Sequence, residues 1–486
     1  MSKSRFLYSL LLLTAFLYLP ELSRSQNATS SPYSRFGIGD IAPSVYAKQL
    51  GMGGLQTAID NPFSINPGNP ASYSSLVMTT YEGGLNFLQY ELKSSVGRQR
   101  TNTASLSYFH FAFPVKNGKW ALGFGLSPYS NVGYKLTSQT TNLLGDQELK
   151  TYKGSGGLNN FHIGTGFKLG RIASFGFSTE YLFGVINRDR TVEFNSTNYI
   201  YSNISESTSI GWFHFNTGFQ FVFDSLKTAD SDSLKMFDKK ITLLTDSLKK
   251  TVAGGATDYE LKNGLRQQIE EAKFLRTNVV NRKVRSDWRL TAGITFSPSI
   301  DLRARNTYVN NSYRYVAGST TVLIRDTVQS YDGQRGFVRL PSSLGVGLTL
   351  RKGPRWLVGT DFRFQQWSKF SYLGSSDSLV NGWRSAFGLQ YIPNERALKS
   401  YWKVMQYRAG FHYENGYLKL GGQQLAEMGV SAGLTLPIRR GGSQLHLAFE
   451  IGKRGTTKDN LIEEKYLRFT LGFTINDRWF LKPKYD

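Results

Sequence analysis

The chain has 486 residues, 49 of them glycine and none cysteine, and a formal net charge of +23. The absence of cysteine excludes disulfides, thiol catalysis and cysteine-based metal sites. Charged residues make up only 19% of the chain, below the ~25% of ordinary soluble domains, while aromatic residues reach 14%. This balance of abundant Gly and aromatic residues with scarce helix formers is typical of an all-β protein.

The first 25 residues have the layout of a secretory signal. Lys3 and Arg5 precede a 14-residue apolar stretch from Phe6 to Leu19, and Pro20 ends it. Ser23-Arg24-Ser25 supplies small residues at a cleavage site. An N-terminal anchor helix is the alternative, but the apolar stretch is short for a membrane span. In an exported protein, the positive charge fits anionic lipid headgroups and lipopolysaccharide as partners rather than nucleic acid.

Residues 26–76 show no alternation and are rich in Gly, Pro, Asn and Ser. A structureless stretch of this length in a compact domain normally has a function. Prolines and glycines specify fixed turns rather than a flexible linker, which favours a plug or hatch folded inside a barrel. A tail that hangs below the barrel is the alternative.

From residue 77 onward, apolar and polar residues alternate with a period of two. Leu467, Phe469, Leu471 and Phe473, for example, alternate with residues that include Arg468. Such segments of about ten residues predict strands of a transmembrane β-barrel, apolar outside and polar inside. An arginine on the lipid side costs roughly 2–4 kcal/mol near mid-bilayer, so Arg468 belongs in the lumen. Fourteen antiparallel strands are predicted, near 77–93, 101–115, 118–134, 158–170, 172–192, 207–224, 286–306, 339–351, 354–370, 380–393, 404–418, 424–437, 443–455 and 462–476.

The links between the predicted strands support this count. Such barrels have short turns in the periplasm and long loops outside. The links after strands 2, 4, 8 and 12 are short, and those after strands 3, 5 and 7 are long. The sequence thus divides into barrel strands 1–6 (77–223), an insertion (224–285), and strands 7–14 with a C-terminal tail (286–486).

The insertion at 224–285 falls on the periplasmic side and shows helical periodicity instead of alternation. Its apolar residues recur at spacings of three and four, with a break at Gly254-Gly255. Two helices this short either pack on each other as a helical hairpin or form an arm that docks a periplasmic partner. The candidate docking residues are Leu234, Phe237, Ile241, Leu244, Leu248, Leu261, Leu265 and Ile269.

The remaining chemistry-bearing residues predict no catalytic site, metal site or cofactor. Each of the five histidines stands alone in a predicted strand, without a second ligand at metal spacing. No nucleophile–base pair or phosphate loop stands out. Many charged residues fall on the polar strand faces, which disfavours a lumen built for lipids. These are Glu180, Arg289, Arg351, Arg384, Arg408, His412, Glu414, His446, Glu450 and Arg468.

The segment before the first strand resembles the hatch of FadL-type hydrophobic-compound transporters. The resemblance rests on Gly51-Met52-Gly53-Gly54, on Ala58 with Asp60-Asn61, and on Asn66-Pro67-Gly68-Asn69-Pro70-Ala71-Ser72. It implies a 14-stranded barrel with an N-terminal plug. Ser31 to Gly37 and the tail Asn476 to Phe480 resemble a Bacteroidetes branch, in which PorV-like relatives serve protein secretion.

The resemblance implies an outer-membrane barrel that passively transports a hydrophobic small molecule inward, without catalysis. The plug would form the gate of the ligand pathway, with Gly51, Gly53, Gly54, Asp60, Asn61, Asn66, Pro67, Asn69, Pro70, Ala71 and Ser72 as its residues. The alternative is a barrel subunit of an outer-membrane protein secretion or assembly machine. Such a subunit would dock envelope protein partners through residues 224–285.

Overall fold

The computed structural model describes residues 28–43, 45–141, 145–195, 199–224, 230–253, 259–286, 288–316, 319, 321–377, 379–438 and 442–477. The predicted signal at 1–25 lies outside the described residues, as does most of the predicted tail. Among the described residues, no helix is both long and apolar enough to cross a membrane.

Residues 28–76 form short elements in place of long strands. A 3₁₀ turn at Pro32–Arg35 is followed by a two-residue strand at Asp40–Ile41, the short helix α1 (Ala47–Leu50) and a second 3₁₀ turn at Pro70–Ser75. Most of these residues are buried, including polar ones such as Gln49, which has no exposed surface. The segment therefore fills the interior of the molecule, and we call it the plug.

Fourteen antiparallel strands form the wall. They are β1 (Thr79–Lys93), β2 (Arg98–Lys116), β3 (Trp120–Thr141), β4 (Gln147–Leu169), β5 (Ala173–Phe194), β6 (Tyr201–Asp224), β7 (Trp288–Ser297 and Ile300–Tyr315), β8 (Val322–Leu340 and Ser343–Lys352), β9 (Trp356–Gln365), β10 (Gly382–Tyr391), β11 (Gln406–Leu420), β12 (Gln423–Pro437), β13 (Gln444–Arg454) and β14 (Glu463–Asp477). Pro298 and Pro341 fall at the interruptions of β7 and β8. Proline cannot donate to a strand ladder, which explains these breaks.

Pairing of β14 with β1 closes the barrel, with Tyr466 opposite Tyr90 and Thr470 opposite Asn86. The predicted count of fourteen strands is confirmed. Side chains alternate as the sequence indicated: Leu467 and Ile475 are exposed on the outside, and Thr470 is buried inside. Part of the outer face forms a mainly apolar band, as a membrane-spanning barrel requires.

The predicted long loops after strands 3, 5 and 7 were wrong. β3 to β8 continue as paired strands, and the connections shrink to residues 142–146, 195–200 and 316–321. Beyond the apolar band, both faces of these strands carry Thr, Ser, Asn and Tyr, so hydrophobic alternation no longer marks them. We call the end that carries the connections 117–119, 170–172 and 353–355 the periplasmic end, as the sequence predicted, and the opposite end the upper end.

The insertion between β6 and β7 forms two helices, α2 (Asp230–Ala253) and α3 (Tyr259–Ser286), packed against each other. The predicted break at Gly254-Gly255 lies outside the described residues. A short helix, α4 (Tyr401–Val404), lies in the connection between β10 and β11. On the upper side, the connection between β9 and β10 contains a helical turn at Trp367–Lys369 and a two-residue strand at Ser371–Tyr372, which pairs with β8.

Candidate functional site

The Gly51–Gly54 turn brings the plug backbone into direct contact with the wall. Gly53 and Gly54 adopt φ values of +70° and +85°, in the region that side chains disfavour. A Cβ on Gly53 would lie 2.6 Å from the Phe411 carbonyl oxygen, so no side chain fits there. The facing wall residue also lacks room for a side chain, since a Cβ on Gly410 of β11 would lie 2.0 Å from the Gly53 nitrogen. Glycines on both sides therefore make this close approach possible.

The two asparagines of the predicted hatch motif organise the plug internally. The Asn66 amide donates to the carbonyl oxygens of Gln56 (2.6 Å) and Ile59 (3.0 Å), and its oxygen accepts from Gln49 (2.9 Å). Asn69 caps the Pro70–Ser75 turn by accepting the Ala71 N–H at 3.0 Å. It also donates to the Thr57 carbonyl at 2.7 Å.

We expect Asn66→Ala to lower the free energy of unfolding by about 1–3 kcal/mol, since the buried carbonyl oxygens of Gln56 and Ile59 each lose one donor and the buried Gln49 amide loses its acceptor. Asn61→Ala is the matched control, because Asn61 lies at the rim and accepts only the nearby Phe63 N–H in the described structure. Urea unfolding in detergent, followed by tryptophan fluorescence, measures both. Equal effects of the two changes would contradict the role given to Asn66.

Charged side chains of the wall hold the lower half of the plug. Asp361 of β9 accepts the N–H groups of Gln56 (2.6 Å) and Thr57 (2.9 Å). Asp60 forms an ion pair with Arg289 of β7 at 3.2 Å, and its carbonyl accepts from Arg351 of β8 at 3.0 Å. Arg289 and Arg351 are two of the residues that the sequence assigned to the lumenal strand faces.

Two further contacts bind the middle of the plug. The Lys48 ammonium lies 2.7 Å from Glu82 of β1, and both side chains are almost fully buried, with 6% and 0% exposed. The same carboxylate accepts the Ile65 N–H at 3.0 Å. Arg384 donates to the Gly53 carbonyl at 3.1 Å, and Ser431 accepts the Gly53 N–H at 2.9 Å. The plug is thus attached to strands around much of the circumference.

A chamber of about 240 Å³ remains inside the barrel, between two parts of the plug that include residues 40–43 and 67–68. Charged side chains line much of it: Glu180, Arg363, Arg384, Glu414, Arg454 and Glu464. Pro67 and Gly68 of the plug form part of its floor. An apolar ligand site normally has mostly apolar walls, so this chamber is poorly suited to a hydrophobic molecule.

An apolar layer closes the barrel above the chamber. Tyr33 and Ile38 of the plug pack with Leu182 and Leu302 of the wall and with Trp367 from the β9–β10 connection. Trp367 is 2% exposed and stacks on Tyr417, with ring centroids 4.3 Å apart. The plug and this layer together occupy much of the described interior of the barrel.

The wall opens sideways between β2 and β3. The two strands pair from Lys116 opposite Trp120 up to Phe109 opposite Leu126, and the described register ends there. Above that point β2 pairs with β1 and β3 with β4, while their facing edges are not paired with each other. The two-residue strand of the plug lies at this seam, with Asp40 opposite Asn131 and Ile41 opposite Ser130.

A cleft of about 520 Å³ lies at the upper part of the seam. Its lining includes apolar residues from both edges and from the plug, namely Pro32, Leu92, Val96, Leu136 and Ile462. The plug is tied down beside it: Tyr33 donates to the Ile462 carbonyl at 2.5 Å, and Asp40 accepts from Arg454 at 2.8 Å. The cleft therefore combines apolar surface, an open barrel edge and contact with the plug.

A family model named BamG matches the chain over residues 5–253 and 246–486, two segments that meet inside the helical insertion. The chain belongs to the BamG family. No curated protein matches the sequence. Membership covers both the plug and the wall, so the candidate site lies within the part that the family shares.

Solved structures show the same fold at low sequence identity. The toluene transporter TodX of Pseudomonas putida matches with a TM-score of 0.52 and 14% identity, over 91% of this chain and 100% of that one. A deltaS2S3 mutant of TodX, a monoaromatic hydrocarbon channel, matches with 0.50 and 13%, over 89% and 99%. A FadL homologue of Pseudomonas aeruginosa matches with 0.49 and 10%, over 90% and 99%. The FadL-type outer-membrane barrel fold is confirmed; the resemblance to a Bacteroidetes branch stays a prediction.

In this BamG-family chain, most of the predicted docking residues lie between the two helices of the insertion. Ile269 is buried, and Phe237, Ile241, Leu244, Leu248 and Leu265 are half-buried. Leu261 is exposed, and the side chain of Leu234 lies outside the described residues. Apart from Leu261, the apolar surface left to a partner includes Met236, Leu243 and Phe274, which are 60%, 59% and 66% exposed.

The histidines are less isolated than the sequence suggested. His110 and His162, 52 positions apart, meet edge to face with ring centroids 4.5 Å apart. His110 contacts the Tyr46 hydroxyl, and His162 lies 3.3 Å from that of Tyr73, so both rings bind the plug. Within the described residues, no three His, Asp or Glu side chains are placed to hold a metal ion.

Proposed function

We propose that this protein resides in the outer membrane and passively admits a hydrophobic small molecule through the seam between β2 and β3. The observation that supports this most is the 520 Å³ cleft, which lies where the wall lacks strand pairing. The FadL-type fold, which the toluene transporter TodX shares, agrees with it. The apolar lining of Leu92, Val96 and Leu136 suits a ligand of low polarity.

The lateral route follows from the chemistry of the lumen. A hydrophobic molecule that crossed the charged chamber would displace water from Glu414, Arg363 and their neighbours without replacing its hydrogen bonds. At the seam the same molecule would pass from the lipid into a cleft whose lining combines Leu92, Val96 and Leu136 with polar residues. Inward passage then requires the first part of the plug, residues 29–42, to move away from β3.

Because the chain has no cysteine, a disulfide can hold this segment in place. Ile41 and Ser130 are directly opposed in an antiparallel pair, a geometry that a disulfide can bridge. We expect Ile41→Cys/Ser130→Cys to reduce uptake of radiolabelled toluene or oleate by intact cells at least five-fold, and dithiothreitol to restore it. The control pair Ala432→Cys/Phe449→Cys joins β12 to β13 away from the plug. Unchanged uptake in the oxidised variant would contradict the seam route.

A second candidate function is that of a subunit in an outer-membrane protein secretion or assembly machine. The exposed apolar residues Met236, Leu243 and Phe274 on the α2–α3 hairpin support it, since a solvated hairpin gains nothing from them. The plug inside the barrel also agrees with it, because a docking subunit needs no passage.

We expect Met236→Gln/Leu243→Gln/Phe274→Gln to release envelope proteins that co-purify with the tagged chain in mild detergent. The substitutions lie on exposed positions, so the hairpin should keep its fold. Lys239→Gln/Lys240→Gln, on the exposed part of the same helix, is the matched control. Quantitative mass spectrometry of the eluates measures the effect. If the triple variant and a deletion of 230–280 retain the same partners as the unaltered chain, the docking function is wrong.

A further inference from the structure

The outer face of β13, β14, β1 and β2 carries a row of charges near its upper end. Lys453 lies opposite Lys465, Lys465 opposite Glu91, and Glu91 opposite Arg100. The row faces outward, since Lys465 is 59% and Arg100 73% exposed while the lumenal neighbour Tyr466 is buried. Four adjacent strands thus present one continuous charged line.

A second outward-facing row lies two residues further along each strand, towards the upper end. Glu463 is opposite Lys93, and Lys93 is opposite Arg98. The two rows together contain five cations and two carboxylates and carry a net charge of +3. We call these seven residues the basic belt: Lys93, Arg98, Arg100, Lys453, Lys465, Glu91 and Glu463.

Below the basic belt the outer face becomes mainly apolar, although Gln89 and Asn102 continue the first row on β1 and β2. Ile451 lies opposite Leu467, and one repeat lower Phe449, Phe469 and Phe87 lie side by side on three strands. Ile451 is 67% and Phe449 50% exposed, and the rings of Phe449 and Phe469 are 4.8 Å apart. Such an outward apolar surface belongs in the hydrocarbon layer, so the basic belt lies at the level of the headgroups.

The protein neutralises the basic belt only in part. Lys453 and Lys465 are directly opposed, and like charges in that position destabilise a sheet. They share Glu463, at 2.8 and 3.9 Å. Arg100 engages Glu91 through two nitrogens, at 3.0 and 2.8 Å. The two carboxylates are thereby used, and the net positive charge is left for an anion from outside the chain.

We propose that the basic belt binds the phosphorylated headgroup of an outer-leaflet glycolipid of the lipid A type. The molecule bound there must have anionic groups at the boundary between the apolar surface and water. An amphiphilic lipid has them at that boundary, whereas a soluble polyanion has no part that lies in the apolar layer. Four strands at ~4.8 Å spacing give a line roughly 15 Å long, wide enough for a headgroup with more than one phosphate. Arginine and lysine are the usual partners of phosphate oxygens. The inference rests on the outer-membrane location proposed above, not on transport.

The position of the basic belt beside the seam gives the bound lipid a role. Arg98 belongs to the basic belt and also lines the 520 Å³ cleft. Leu92 of β1 and Val96 of the β1–β2 connection line the same cleft. A glycolipid held there lies at the mouth of the cleft. It would keep the unpaired edges of β2 and β3 covered by lipid.

The test uses the purified full chain in detergent and native mass spectrometry with three added lipids: diphosphoryl lipid A, its dephosphorylated form and phosphatidylglycerol. We expect diphosphoryl lipid A to bind, and the variant Lys453→Gln/Lys465→Gln/Arg100→Gln to bind it at least ten-fold more weakly. The matched control Lys168→Gln/Lys399→Gln/Lys403→Gln removes three exposed cations near the opposite rim and should bind normally.

Equal binding of the dephosphorylated lipid, or of phosphatidylglycerol, would overturn the assignment to a lipid A phosphate. Undiminished binding in the belt variant would overturn the site. The heat-dependent change in migration on gels that folded barrels show will report whether the belt variant still forms a barrel. If the positive charge is the cause of binding, Lys453→Arg/Lys465→Arg should retain it. The assay contains no transport step, so a failure of the seam route leaves its result unaffected.

Discussion

Gly410→Val is expected to displace the plug and open the barrel. The valine Cβ would lie 2.0 Å from the Gly53 nitrogen and 2.2 Å from the Met52 carbonyl carbon, closer than atoms can approach. The plug turn cannot yield locally, because Gly53 is already held by Arg384 and Ser431. Overpacking of this kind costs about 1–3 kcal/mol, and release of the turn from the wall relieves it.

Planar-bilayer conductance measures this effect. We expect the unaltered protein to be nearly silent and the Gly410→Val protein to show stable conductance at least ten-fold higher. Ala409→Val is the matched control, because Ala409 is the neighbouring residue of β11 and faces outward. A silent Gly410→Val barrel with normal stability would mean that the plug does not depend on this contact.

The second large effect is expected from Glu82→Gln. The substitution leaves the Lys48 ammonium, only 6% exposed, without its carboxylate partner. Removing one member of a buried ion pair costs roughly 3–5 kcal/mol, because the remaining charge stays desolvated. The Ile65 N–H loses a charged acceptor as well. Since Lys48 and Ile65 both belong to the plug, we expect the plug to detach before the wall unfolds.

Limited trypsin digestion of the folded barrel and urea unfolding measure the two consequences. We expect cleavage at Lys48 to become rapid in Glu82→Gln, while the wall stays protected. The double variant Lys48→Met/Glu82→Gln should recover part of the stability, since it removes the uncompensated charge. Glu91→Gln, which removes an exposed ion pair higher on the same strand, is the control and should leave the stability nearly unchanged. Slow cleavage in Glu82→Gln would show that this ion pair does not retain the plug.

The wall was predictable from the sequence because lipid imposes a strict pattern. Residues such as Leu467 and Phe469 must be apolar over the height of the band, and their neighbours must not be, so alternation marks each strand. The same rule fails above the band. There the chain from Val322 to Gly336 is exposed on both faces, and strand pairing depends on backbone hydrogen bonds that leave little trace in the sequence.

The plug was predictable only as a segment with fixed turns. Asn66 and Asn69 were identified from a motif, but their partners are carbonyl groups, which every residue carries. The seam was not predictable, since no residue type marks two strands that do not pair. The one irregularity nearby is a shift in the β3–β4 pairing register between Pro128 and Ser130. The apolar layer was missed because Trp367 comes from a connection that was assigned to a strand.

The structure also changes where a partner would bind on the insertion. The 3/4 spacing of Phe237, Ile241 and Leu244 predicted an amphipathic helix correctly, but such spacing cannot distinguish a face that packs on the sister helix from one that packs on a partner. The exposed positions show which residues remain available. Met236, Leu243 and Phe274 fall outside the predicted apolar spacing, which is why the pattern selected only Leu261 among the exposed positions.

The most direct test of the seam route is anomalous diffraction from crystals of the full chain soaked with bromobenzene. The proposal predicts a bromine peak in the 520 Å³ cleft, beside Leu92, Val96 and Leu136. A peak confined to the central chamber near Glu414 and Arg363, or no ordered peak within the barrel, would contradict lateral entry. In that case the docking function, with the hairpin residues as its surface, becomes the better account of the protein.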